Sequence, residues 1–281
     1  ISQTILCKGL CSKSKLSKIE NNILQPEIAL VQALFQRLGI DDRIFSFYGD
    51  KHESQLYNIR EKAIHTIILE REKIKKYIED IKKIANKKDI LYIQYVMFKE
   101  AMFIENDEDK IKLLNEALNM TLPNFEITHI LDYRLSWMEL TILNNLSAAY
   151  CDGPAPSVGI QYLYKILEYT NMSDIDILLS KRISSITIPM LYRRLYRYKR
   201  YSEMIEIRSK ISFSDSCITP NIISLSNVYI YLCQAFGEIG HIENMILLAH
   251  YGIGCYKLYE KDDIINFIRT SLNDDFKINI N

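Results

Sequence analysis

Glycine and proline are scarce in this chain of 281 residues, at nine and six. That excludes a turn-rich architecture and leaves long helices joined by short loops. No apolar run is long enough to span a bilayer and no signal peptide opens the sequence, so the expected place is the cytoplasm, with no membrane partner. The six cysteines, at positions 7, 11, 151, 217, 233 and 255, form no CxxC pair and no Cys/His cluster with zinc spacing. They read as small core residues in a reducing compartment, and Cys7 and Cys11, four apart, as two packing thiols on one helix face. The histidines at 52, 65, 129, 241 and 250 contain no HExxH, and neither G-x-S-x-G nor a phosphate-cradling glycine loop occurs. Asp and Glu are plentiful but follow solvated helix faces. The expectation is a protein that is not an enzyme and carries no metal or cofactor.

What is present is apolar surface and tyrosine: 48% hydrophobic residues, with 19 tyrosines. The length suits two domains, one small and one large, or a single extended solenoid. Tyrosine buries a large ring while keeping a wet tip, which suits packed helical repeats and binding grooves alike.

The formal net charge of zero hides an asymmetry. Residues 1–40 hold Lys8, Lys13, Lys15, Lys18 and Arg37 against Glu20 and Glu27, a surplus of three positive charges that the rest of the chain offsets. A basic stretch alone is usually a solvated helix face, so the pattern around it matters more. Ser2 can cap a short helix with Ile5, Leu6 and Leu10 inward, broken at Gly9-Leu10-Cys11. Ser12 can cap a second helix over residues 13–21. There Leu16 and Ile19 face inward, and Lys13, Ser14 and Lys18 lie opposite. Asn21-Asn22 ends it, since Asn tolerates the left-handed conformation. Pro26 and Glu27 open a third helix with Ile28, Val31, Leu34 and Leu38 as its buried stripe, closed by Gly39. Two short helices joined by a tight turn, the second basic outward, describe a helix-turn-helix.

The runs Ser2-Gln3-Thr4-Ile5-Leu6-Cys7, Ser12-Lys13-Ser14-Lys15-Leu16-Ser17-Lys18-Ile19-Glu20-Asn21-Asn22, Gln25-Pro26 and Leu38-Gly39 resemble the phage-repressor (XRE-type) helix-turn-helix. The resemblance implies that Gln3 grips a phosphate and that Lys13, Ser14 and Lys18 touch bases. It also implies that Glu20 is a structural acid and that Asn21 meets a phosphate, with Ser12 and Lys15 completing the DNA-binding surface. The turn at Gly9-Leu10-Cys11 is one residue shorter than in the phage proteins. The chain opens on Ile1 rather than Met, inside the pattern. It reads as an N-terminally truncated fragment lacking the family's first helix, so DNA binding is expected of the full-length protein.

After a linker at 41–53, residues 54–281 show helical periodicity with short breaks that suit helix hairpins. Three segments share an apolar-small-aromatic helix, a turn and a second amphipathic helix: 143–150 with 160–167, 191–195 with 200–205, and 229–236 with 240–243. Residues 58–84 and 109–117 read as earlier, weaker units. Aligned on Tyr150, Leu195 and Phe236, the unit is longer than the roughly 34 residues of a tetratricopeptide repeat. Gly159 and Ala249 sit where close-packed repeat helices want small side chains. The expected fold is therefore all-α, with a small helix-turn-helix module at 1–40 followed by a right-handed α-solenoid of tetratricopeptide-like hairpins.

That order of parts resembles the peptide-pheromone-responsive regulators of Gram-positive bacteria, the Rgg, NprR, PlcR and PrgX group. The resemblance implies a homodimeric regulator that binds duplex DNA and holds a short signalling peptide in the concave groove of its repeats. The first helix of each hairpin should line that groove, with Asn145, Tyr192 and Tyr231 facing it and Arg194 at its margin. Asn144-Asn145 lies in an otherwise apolar helix, where Asn has poor propensity and wants a partner, either a structural hydrogen bond or a peptide backbone. Tyr133 and Trp137 read as core, and Arg193, Arg194, Arg197, Lys199 and Arg200 chiefly as a solvated face. The competing expectation is a tetratricopeptide-like interaction scaffold that does not read DNA.

Overall fold

The computed structural model describes residues 1–42, 45, 49–66, 70–210, 222–258 and 260–277. The described residues are all-α, without a strand. They divide into two compact units, Ile1–Leu179 and Ser180–Asn281. Residues 1–40 therefore share a unit with the first hairpins.

The first unit begins with α1 (Gln3–Cys7), α2 (Lys13–Glu20) and α3 (Ile28–Arg37). Ser2 and Ser12 cap α1 and α2, their hydroxyls accepting from the Ile5 and Lys15 amides. Gly9 and Asn22 take positive φ, +74° and +56°, and turn the chain out of α1 and α2. Leu6, Cys7, Leu16, Leu30 and Leu34 form the module's core, with Leu10, Cys11 and Ile19 packed against it. Two expectations need correction. Ile5 is exposed, because a helix of five residues turns only one face to so small a core. Leu38 is also exposed, and Leu30, Ala33 and Arg37 occupy the buried stripe instead.

Three hairpins follow: α4 (Lys51–His65) with α5 (Arg71–Ile84), α6 (Ile90–Ala101) with α7 (Asp107–Asn119), and α8 (Trp137–Asp152) with α9 (Pro156–Thr170). Neighbouring hairpins pack through α5 on α6 and α7 on α8. The α4 helix starts at Lys51, capped by Asp50, so it takes in the end of the expected linker; Asp41 and Asp42 at the linker's start are buried. Between α7 and α8 the chain forms a 3₁₀ helix, Ile127–Asp132. Ser136 and Glu139 then form a capping box on α8, which fixes where that helix begins.

Arg37 joins the module to the hairpins. Its guanidinium is 1% exposed, and every N–H has an acceptor. Nη1 donates to the carbonyls of Leu6 (3.2 Å) and Lys8 (2.6 Å) at the end of α1. Nη2 donates to the Thr121 carbonyl (3.2 Å) after α7 and to Glu139 Oε1 (2.5 Å) on α8. Nε reaches Glu139 Oε2 at 3.4 Å. Charge removed from one side of a buried pair leaves the other uncompensated, at a cost of about 3–5 kcal/mol. Beside it Gln36 accepts from the Trp137 amide (2.8 Å) and donates to Asp42 (2.6 Å). A Cβ at Gly9 would fall on the Thr121 carbonyl, so only glycine permits this close approach. At the other end of α3, the buried Glu53 of α4 accepts from the Ala29 amide (3.4 Å). Burial holds the Glu53 carboxyl above its usual pKa range, and amide hydrogen bonds from Ile28 and Ala29 oppose that rise.

The second unit carries most of α10 (Ile177–Arg197), then α11 (Tyr201–Lys210), α12 (Ile222–Glu238), α13 (Ile242–Lys257) and α14 (Asp262–Phe276). The α10 helix is longer than expected and runs through Pro189, which accounts for part of the stretched repeat period. The tightest pair is α12 with α13, where Ser226 Oγ donates to the Gly252 carbonyl (2.6 Å) and Ala249 is fully buried.

Gly159 shows why small residues sit at such crossings. An added Cβ would lie 2.5 Å from the Ser147 carbonyl oxygen and 2.8 Å from the Cys151 amide nitrogen on α8. Gly254 on α13 has open space around it. Gly159→Ala is therefore expected to lower stability by about 1–3 kcal/mol, despite alanine's better helix propensity. Gly254→Ala should raise it by about 0.5–1 kcal/mol. Urea unfolding midpoints of the two variants check both signs.

Candidate functional site

The α2 helix presents its polar side to solvent. Leu16 is buried and Ile19 packs on the module core, so the helical period sends Lys13, Ser14 and Lys18 outward, and all three are exposed. Lys13 and Lys18 have no carboxylate partner among the described residues. The other candidates are exposed or half-buried and already partnered. Gln3 donates through Nε2 to Glu20 at 2.5 Å, and Lys15 pairs with Glu27 at 2.8 Å. The Ser12 hydroxyl is the helix cap, and Asn21 donates to the Ser17 carbonyl at 2.7 Å. Lys8 lies 5.1 Å above the Tyr133 ring. With Arg37 sequestered and Lys15 neutralised, the mobile positive charge of the module is narrower than the sequence suggested: Lys13 and Lys18 on α2, with Lys8 at its flank.

A second feature is a cavity of about 140 Å³ between α6, α7 and α8. Ala101, Leu114, Ala148 and Ala149 give it an apolar floor, and Asn145, Asp107, Lys110 and Asp152 bring polar groups to its wall. Asn145 is half-buried, and its Nδ2 donates to the Thr141 carbonyl (2.9 Å) one turn back. That bond satisfies the amide N–H within the helix and leaves Oδ1 as an acceptor. Asn144, by contrast, is buried and donates to the Leu140 carbonyl at 3.1 Å. The sequence pointed to Asn145 but missed Asp107, Lys110 and Asp152. They come from two helices, the start of α7 and the end of α8, and only the α7–α8 packing brings them together.

The candidates in the second unit do not line a surface as expected. Tyr192 is completely buried and its hydroxyl donates to the Met204 carbonyl at 3.2 Å, so it belongs to the α10–α11 core and not to a groove. Arg194 is 5% exposed, a buried cation and not a margin residue; Arg193, Arg197, Lys199 and Arg200 are the exposed ones. Both corrections follow from the phase of α10. Leu191, Tyr192 and Leu195 share the inward face, and Arg194 lies beside them. Tyr231 is half-buried, its ring 5.8 Å from that of Tyr196, which in turn lies 5.7 Å from Tyr201. Burial pushes the Tyr196 phenol up to about 12. Tyr133 and Trp137, expected in the core, are half-buried.

Cys7, Cys151 and Cys233 are buried, and Cys11 and Cys255 half-buried, all as thiols; Cys217 lies outside the described residues. Among the described residues no three His, Cys, Asp or Glu side chains are placed to hold a metal ion, and no helix is long and apolar enough to cross a membrane.

No protein-family model matches the sequence, and no curated protein matches it. The fold does have a likeness among solved structures. A crystal structure of Bacillus thuringiensis PlcR in complex with the peptide PapR7 and DNA superposes with a TM-score of 0.59. The match spans 95% of this chain and 93% of that one at 16% sequence identity. At that identity the likeness establishes the fold: an all-α chain with a helix-turn-helix start followed by tetratricopeptide-like hairpins.

The burial of Tyr192 gives a test of its placement. Tyr192→Phe removes a buried hydroxyl and its hydrogen bond to the Met204 carbonyl. The expected loss is about 1–3 kcal/mol of stability, read by chemical denaturation. A surface tyrosine would show no loss.

Proposed function

We propose that this chain is a cytoplasmic transcription regulator that reads duplex DNA through α2 and is gated by a short peptide bound against its helical hairpins. The observation that carries this reading is the fold shared with PlcR over nearly the whole of both chains, together with an α2 face that leaves Lys13, Ser14 and Lys18 outward and unburdened. The solved PlcR complex holds a peptide and DNA.

On DNA the roles follow from chemistry. Lys13 and Lys18 supply cations to phosphates and base edges, and Ser14 a small hydrogen-bonding group near the helix start. Gln3 exchanges Glu20 for a phosphate oxygen, and Asn21 and Ser12 stand at the two ends of α2 near the backbone. Lys15 contributes less while Glu27 holds it. A single module covers one half-site, so the working form is a homodimer. For the peptide, the α6–α7–α8 cavity has the size of one aliphatic side chain. Asn145 Oδ1 beside it accepts a backbone N–H. The boundaries follow the same roles: residues 1–40 read DNA and residues beyond 53 bind peptide and partner.

Two measurements test this. Lys13→Ala combined with Lys18→Ala in the full-length protein should weaken duplex binding and lower the slope of log affinity against log salt by about 2, since each lost phosphate contact removes about 0.9 from that slope. Unchanged binding, with the fold intact, places the DNA surface elsewhere. No salt-dependent duplex binding by the unaltered protein would leave the scaffold reading. Asn145→Ala should abolish the response to peptide while costing less than about 1 kcal/mol of stability, because the bond it loses is local to α8. A variant that unfolds instead gives Asn145 a structural role.

A further inference from the structure

The α3 helix is bolted at both ends, and by polar groups that only a fixed geometry satisfies. At its start Glu53 receives the Ala29 amide, and Arg60 of α4 donates to Gln32 at 2.6 Å. At its end Gln36 meets the Trp137 amide and Arg37 meets Glu139. The Gly39 carbonyl accepts from the Asp176 amide at 2.6 Å. Arg37 also holds the carbonyls of Leu6 and Lys8, the last turn of α1, from which the chain enters α2. One side chain thus fixes the α1–α2 turn and ties it to α8.

We infer that Arg37 and Glu139 are positioning residues for DNA reading: they hold the recognition helix at one orientation on the hairpins, and so set the half-site spacing that the dimer accepts. This rests on the reading of the chain as a paired DNA binder. A module tethered only by the residues between α3 and α4 would have a reach of tens of ångströms, at roughly 3.3–3.6 Å per residue. It would accept many spacings. A docked module accepts one, because each added base pair turns the second half-site by about 35°. The guanidinium is suited to this joint because its planar fork addresses a carboxylate and several carbonyls at once, which a lysine ammonium does not.

The test uses the full-length protein and a pool of duplexes with a randomised core about four helical turns long, roughly 40 base pairs. Rounds of enrichment are followed by sequencing, and the readout is the distance between paired half-sites. The unaltered protein is expected to converge on one spacing. Arg37→Lys and Glu139→Gln are expected to enrich the same half-site sequence over several neighbouring spacings. The Gln variant keeps the α8 capping box, since glutamine also serves at that position, but it too leaves a buried charge uncompensated, so amide exchange of the unaltered protein carries the test if neither variant folds. A mere loss of stability would lower affinity without broadening the spacing. Variant pools with one sharp spacing overturn the inference while leaving DNA reading intact. No enrichment by the unaltered protein overturns the DNA reading itself. Amide exchange supplies a readout that needs no variant: α1 and α3 amides should be protected to the same degree as those of α8. Faster exchange of α1–α3 as a separate unit contradicts the joint.

Discussion

The Arg37–Glu139 pair is the contact on which the rest of the first unit depends. A guanidinium that is 1% exposed has no water to hydrate it, so each of its donors must find a protein acceptor. Those acceptors come from three places: the end of α1, Thr121 two residues past α7, and the third position of α8. Satisfying one side chain therefore fixes the relative placement of three segments that are far apart in sequence. Glu139 has two tasks, since the oxygen that meets Arg37 Nε also accepts the Ser136 amide at 2.6 Å. The start of α8 and the end of α3 are consequently one structure, and α8 is the helix that carries Asn145.

The local parts of this arrangement were legible from residues alone. Ser2 and Ser12 as caps, Gly9 as a break after the first helix, Asn22 as a left-handed turn, and Gly159 and Ala249 as close-packing positions all rest on short-range rules, and the structure has them so. The tertiary parts were not. Arg37 entered only the charge balance of residues 1–40, because nothing near it in sequence announces Glu139, 102 residues away. Ser136 and Glu139 have the spacing of a capping box, which marks a helix start but does not say that a buried cation waits opposite. Tyr192 looked groove-facing because the phase of α10 could not be set without knowing that the helix begins at Ile177 and passes through Pro189. Of the candidates for ligand contact, the structure keeps Asn145 at a cavity wall and removes Tyr192 and Arg194 to the interior.

The charge economy of the module follows from the same burial. The charged side chains of residues 1–40 sum to a surplus of three positive charges. Arg37 turns inward and Lys15 is held by Glu27, which leaves Lys13 and Lys18 as the exposed cations of α2 with no carboxylate partner among the described residues. A surface with few free cations binds nucleic acid weakly without sequence contacts. Affinity in such a case has to come from correct placement of a small number of groups, and placement is what the buried joint supplies.

DNA reading of this kind requires α2 to enter the major groove while the module remains docked on the hairpins. A structure of the full-length protein bound to its enriched duplex tests this most directly. Lys13, Ser14 and Lys18 are expected at the base edges, with the two ammonium groups also beside phosphates, Gln3 on a phosphate, and the Arg37–Glu139 pair intact. A duplex lying on another face, or a bound module detached from Glu139, would contradict it.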